Sequence, residues 1–203
     1  MVTTTPRRAT GRPRGFDADE ALDRALLVFW EQGYEGASLA NLTEAMGIST
    51  ASMYATFGNK EQLFRKALER YDEGPSAYVP LALAEPTALG VATALLAGTI
   101  CTTTRPDQPH GCLGVQGALA TGEAGREVRA LLVDWRKNGF ARIRERFERA
   151  VEEGDLPADT DPALLARYVT VLQQGIAVEA AGGVDPEELQ ELADAALRNW
   201  PLP

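Results

Sequence analysis

Residues 38–60 read SLANLTEAMGISTASMYATFGNK. Ser38 is a good helix N-cap. Leu39, Leu42 and Met46 follow it at the three-and-four spacing of a buried helical stripe, and Gly47 closes that helix. Two residues later Ser49 offers a second N-cap, for a short helix over roughly 50–56. Ile48, Met53 and Phe57 are its apolar anchors, and Gly58 breaks it. Gly47 supplies the positive φ that so tight a turn requires, and Ile48 plugs the angle between the helices. This is the pattern of a helix-turn-helix, whose second helix enters the major groove of DNA. An ordinary helical hairpin has the same outline, so the spacing alone leaves both readings open. Thr50, Ala51, Ser52, Ala55 and Thr56 are the expected exposed positions of the second helix. They are small enough to sit against base edges or phosphates.

The flanks favour the DNA reading. Asn59 and Gln62 have capping-box spacing for a fourth helix, with Leu63, Phe64, Ala67, Leu68 and Tyr71 as its stripe. Lys60 then falls in the first helical turn, where the helix dipole disfavours a cation by roughly 0.3 kcal/mol or more. A bound phosphate reverses that sign. Upstream, Asp17 and Glu20 cap a first helix striped by Leu22, Ala25, Leu26, Phe29 and Trp30 and ended by Gly33. Before it stands Arg12-Pro13-Arg14, an arm of the kind that enters an A·T-rich minor groove.

Downstream, Gly74, Pro75, Pro80 and Pro86 make 73–86 a connector and the expected domain boundary. An apolar helix is expected over 89–100, a loop at 106–111 and a short helix over 113–120. The longest helix, 125–153, is striped by Val128, Leu132, Trp135, Ile143, Phe147 and Val151. Asp161-Pro162 and Asp185-Pro186 open the last two, each a cap before a proline at the first helical position. Alternating β-branched runs are missing, so the fold class is all-α. The expected division is a flexible basic arm (1–15), a three-helix helix-turn-helix domain (16–72) and a larger helical domain (73–203).

Composition narrows the function classes. The 203 residues carry a net charge of −9, which by itself argues against nucleic acid. The charge is uneven, however. Residues 1–70 are net neutral, with Arg7, Arg8, Arg12 and Arg14 unopposed at the start, and the whole −9 lies in 71–203. No apolar run suits a membrane span, and no apolar segment follows the N-terminal arginines as a secretory signal requires. Two cysteines, Cys101 and Cys112, are too few for a disulfide framework, so a reducing, cytoplasmic setting is expected. The single histidine, His110, has no partner at triad or metal spacing, and no phosphate-binding glycine loop is present. The chain is therefore not expected to be an enzyme or to hold a cofactor or metal.

Residues 11–71 resemble the DNA-binding domain of the tetracycline-repressor (TetR) family. The likeness rests on Gly-Arg-Pro-Arg at 11–14, Ala21-Leu22, Phe29, Gly33-Tyr34, Ser38-Leu39 and Leu42. It continues through Ala45-Met46-Gly47-Ile48-Ser49, Met53-Tyr54, Phe57, Lys60 and Leu63-Phe64. His110-Gly111-Cys112-Leu113, Glu153-Gly154-Asp155-Leu156 and Asp161-Pro162 are similar to landmarks of the family's divergent C-terminal domain. Two departures are Thr43, where an alanine is usual, and Thr56, where an aromatic is frequent.

The resemblance implies phosphate contacts from Ser38, Ser49, Tyr54 and Lys60, and base-edge contacts from Thr50, Ser52 and Thr56. It also implies a homodimer on a palindromic double-stranded operator, released by a small-molecule effector. Candidate interface residues are Leu165, Tyr168, Leu172, Ile176, Leu189, Leu192, Ala196, Leu197 and Trp200. Candidate pocket residues are Trp135, Phe140, Phe147, Cys101 and Cys112. Two alternatives stay open: a metal- or redox-responsive repressor using Cys101, His110 and Cys112, and a helical adaptor without DNA binding.

Overall fold

The computed structural model describes residues 16–119, 125–198 and 200–201. These form ten α-helices and no strand. The first four are α1 (Ala18–Gly36), α2 (Leu39–Met46), α3 (Thr50–Phe57) and α4 (Lys60–Glu73). Each starts on the cap its sequence offers. Asp17 accepts from the amides of Asp19 and Glu20, Ser38 from Asn41, Ser49 from Ser52, and Asn59 from Gln62. At Asn59 both halves of the capping box form. In α1 Gly33 adopts φ 69° and ends the regular spiral, and one more turn carries the chain to Gly36.

The stretch 73–86 is more ordered than a plain connector. It holds a short helix, α5 (Tyr78–Leu83). Pro80 sits in its first turn, where no intrahelical amide bond is lost. Then come α6 (Ala88–Thr103), α7 (Leu113–Leu119), α8 (Arg126–Glu152), α9 (Pro162–Ala181) and α10 (Pro186–Leu197). At 27 residues, α8 is about 40 Å long. Arg146 of α8 is buried, and its Nη2 donates to the carbonyls of Glu85 (2.8 Å) and Pro86 (2.9 Å), which pins the α5–α6 loop.

Three apolar clusters hold the helices together, and the first crosses the expected boundary near residue 72. It joins the buried faces of α1–α4 to Leu113 of α7 and to Val128 and Leu132 of α8. Edge-to-face ring pairs lie within it, Phe29–Phe64 at 5.0 Å and Trp30–Tyr71 at 4.9 Å between centroids. The second cluster packs α5, α6, α8 and α9 around Phe147 and Trp200, and the third joins α6, α9 and α10. No helix among the described residues is long and apolar enough to cross a membrane.

Candidate DNA-facing surface and interior cavity

Leu42, Met46, Met53 and Phe57 are buried under α1 and α4, which leaves the opposite face of α3 outward. Gly47 takes the left-handed conformation, φ 66° and ψ 29°, and its amide and that of Ile48 return to the end of α2. Thr50, Ala51, Tyr54 and Ala55 are exposed on α3, whereas Ser52 and Thr56 are half-buried. Tyr54 is 48% exposed, a large ring with about half of its surface open to solvent. Ser38 and Ser49 are exposed at the helix starts they cap.

Lys60 occupies the first position of α4, with its Nζ 4.5 Å from the centre of the Tyr34 ring. That ring guides the ammonium and partly desolvates it. Burial pushes the Lys60 pKa down, against a smaller upward pull from Glu35. A half-desolvated ammonium beside the free amides of a helix start is suited to an anion. Arg12 and Arg14 lie outside the described residues.

Between α4–α6 and α7–α9 lies a cavity of about 360 Å³. Trp135, Phe140 and Cys112 line it, as expected. Phe147 and Cys101 do not. Phe147 is fully buried against Trp200, 5.7 Å between ring centres, and Cys101 faces solvent on α6. The sequence reading also missed wall residues. Tyr71, Asp72 and Tyr78 come from other helices and carry no sequence signal for this role. Arg136 did carry one: 136, 139, 140 and 143 share a helical stripe with the expected Phe140.

The cavity wall is tied to the α1–α4 unit. Trp135 Nε1 donates to both Asp72 oxygens, at 2.9 and 3.0 Å. Tyr71 Oη donates to Cys112 Sγ at 3.4 Å. Desolvation pushes up the pKa of Asp72 and of the Cys112 thiol, so Cys112 is held as the neutral thiol. The Tyr78 hydroxyl is pushed up to about 12, chiefly by burial.

Residues 21–67 match the family model for bacterial regulatory proteins of the tetR family. Residues 92–196 match the model for the tetracyclin repressor-like C-terminal domain. The chain belongs to the tetR family.

Relatives within the family are similar over most of their length. The HTH-type transcriptional repressor ComR of Escherichia coli is 31% identical over 98% of this chain and 96% of its own. The uncharacterized HTH-type transcriptional regulator YezE of Bacillus subtilis is 30% identical over 92% and 97%. A cysteine mutant of the TetR family regulator CifR, complexed with 26-bp double-strand operator DNA, superposes with a TM-score of 0.90. It is 43% identical and covers 94% of this chain and 100% of its own. TetR-family proteins are regulators rather than enzymes, and this chain is a transcriptional regulator of that kind.

The expected dimer stripe needs correction. Ile176 and Leu189 are buried inside the third cluster, and Trp200 lies beyond the end of α10 against Phe147, so none of the three faces outward. Leu165, Leu172 and Leu197 are half-buried within the same packing. Tyr168 is exposed at 43% and Leu192 at 46%, and Ala196 is half-buried, its carbonyl accepting from Tyr168 Oη at 3.0 Å. The outward apolar face of α9 is Leu164, Tyr168, Val171 and Val178, with Gly175 in open space among them. Two nearly continuous apolar faces run along α9, and periodicity selected the inner one.

The metal reading of Cys101, His110 and Cys112 also fails. No group of three or more His, Cys, Asp or Glu among the described residues is placed to hold a metal ion. Cys101 and His110 are exposed, while Cys112 is turned into the cavity wall.

Proposed function

We propose that this regulator binds a palindromic DNA operator as a homodimer and leaves it when a small molecule fills the interior cavity. The carrying observation is the α2–α3 corner. Gly47 sets the turn, the inner faces are buried, and α3 offers Thr50, Ala51, Tyr54 and Ala55 outward. Thr50, Ser52 and Thr56 take the base-edge role, and the half-burial of Ser52 and Thr56 gives Thr50 the larger share. Ser38, Ser49, Tyr54 and Lys60 hold phosphates, and Arg12 and Arg14 the adjacent minor groove. The likeness to CifR in its operator complex supports the same docking.

The face Leu164–Tyr168–Val171–Val178 with Leu192 supports a two-fold pair, which puts two α3 helices on successive major grooves. The net −9 of residues 71–203 keeps the larger part of the molecule off DNA and leaves binding to the head. A coupling of about 1–3 kcal/mol between effector and operator suffices for release.

The test is a salt-dependent gel shift with DNA from upstream of the protein's own gene, where a palindromic operator is to be found by footprinting. A Lys60→Ala, Tyr54→Ala double variant is expected to bind more weakly and with a shallower salt slope. The slope should fall by about 0.9 for each phosphate no longer neutralised. Equal affinity and slope for parent and variant would exclude this docking.

A further inference from the structure

Most polar groups in the cavity wall are already committed. Thr99 Oγ1 donates to Leu95 O, Thr103 Oγ1 to Thr99 O and Thr170 Oγ1 to Ala166 O, at 2.8, 2.8 and 2.7 Å. Gln173 Nε2 donates to Thr99 Oγ1. The guanidinium of Arg136 is different. Its Nη1 donates to the Gly114 carbonyl at 2.8 Å, and it forms no ion pair with any described residue. Burial pushes its pKa down, the mark of a cation short of water. Arg142 is a second cation in the same wall.

Asp72 is the one acidic residue among the described lining residues. Both its oxygens accept from Trp135, the charge of Arg142 acts on it, and burial works against its ionised form. The half-buried Arg136 and the more exposed Arg142 therefore outnumber the single acid, in a wall that is otherwise mostly rings, aliphatic carbons and polar groups bonded within the protein, with Asn138 and Gln174 also lining it.

Resting on the effector-released reading above, we infer that the effector is a small apolar-bodied monocarboxylic acid whose carboxylate pairs with Arg136 in the cavity. The planar guanidinium matches a carboxylate in geometry and charge. Tyr71, Tyr78 and Trp135 take the body of the acid. A cavity of about 360 Å³ lies at the small end of ligand sites, so the body is the size of one ring or a medium chain. Pairing with the acid competes with the Arg136–Gly114 bond. Gly114 belongs to α7, whose Leu113 is fully buried in the α1–α4 core. The carboxylate thus acts on the element that joins cavity to reading head.

The test uses the full-length chain and benzoate, phenylacetate and octanoate, each beside its primary amide, with phenyl phosphate as a dianionic control. Thermal shift and calorimetry read binding. At least one acid is expected to bind tenfold or more tightly than its amide and than phenyl phosphate. Arg136→Gln, shown folded by circular dichroism, should remove the preference for acid over amide, and Arg136→Lys should keep part of it. Every acid binding no better than its amide, or an unchanged preference in Arg136→Gln, overturns the inference. Operator binding without ligand, measured alongside, separates the two readings. A parent protein that binds no operator overturns the repressor reading, whereas operator binding with release by amides and acids alike overturns only the carboxylate.

Discussion

Trp30 Nε1 donates to the carbonyl of Gly111 at 3.0 Å across 81 residues of chain, inside the protein. The bond ties α1 of the reading head to the turn that leads into α7, where Gly111 holds φ 87°. A Trp30→Phe variant keeps a ring against Tyr71 but leaves a buried carbonyl without a donor. Urea unfolding should show a loss of about 1–3 kcal/mol. An unchanged midpoint would mean that this bond contributes nothing to docking the head.

The outer face of α9 should govern assembly. Val171 and Val178 are 57% and 47% exposed, so charges there should leave the monomer fold intact. Sedimentation velocity of a Val171→Glu, Val178→Glu variant is expected to show monomers where the parent shows dimers, with operator affinity falling in step. A variant that still sediments as a dimer would place the interface elsewhere.

Asp72 makes a prediction with a definite sign. Burial holds its pKa above the usual 3.8, so the folded chain binds this proton more readily than the unfolded one. Its contribution is most favourable at acid pH and is lost as pH rises from 3.8 through the folded value. At neutral pH the ionised carboxylate therefore opposes folding. Asp72→Asn keeps an oxygen for Trp135, so it should melt above the parent at neutral pH. The gap should close as pH is lowered toward 3.8. A variant that melts below the parent at neutral pH would show that the Trp135 bond needs the charge.

The two thiols should separate in rate. Cys101 is exposed, while Cys112 is a cavity-wall thiol kept protonated by burial and in contact with Tyr71 Oη. Monobromobimane should label one thiol per chain quickly and the second only slowly, because the thiolate is the reactive form. A Cys101→Ser variant should lose the fast phase. Two equal fast phases would show that the cavity wall opens freely.

The reading head was legible because its signals are local. Caps at Asp17, Ser38, Ser49 and Asn59 and the left-handed turn at Gly47 act within four residues, and the structure keeps each of them. The cavity was only half legible. Trp135 and Phe140 share a helix whose spacing could be read, but Tyr71, Asp72 and Tyr78 reach the same space through the packing of α4 and α5.

Short-range chemistry in the sequence thus determined an all-helical chain, the α2–α3 corner, and a neutral head beside an acidic remainder. Tertiary structure alone decided which apolar face of α9 is covered and which is bare. It also placed Phe147 in the core rather than the cavity, and joined the head to α7 and α8 in one apolar cluster. The physical reason is that burial is non-local. A face rich in Leu and Val is equally content against its own chain or a partner, and only the positions of the other helices choose between them.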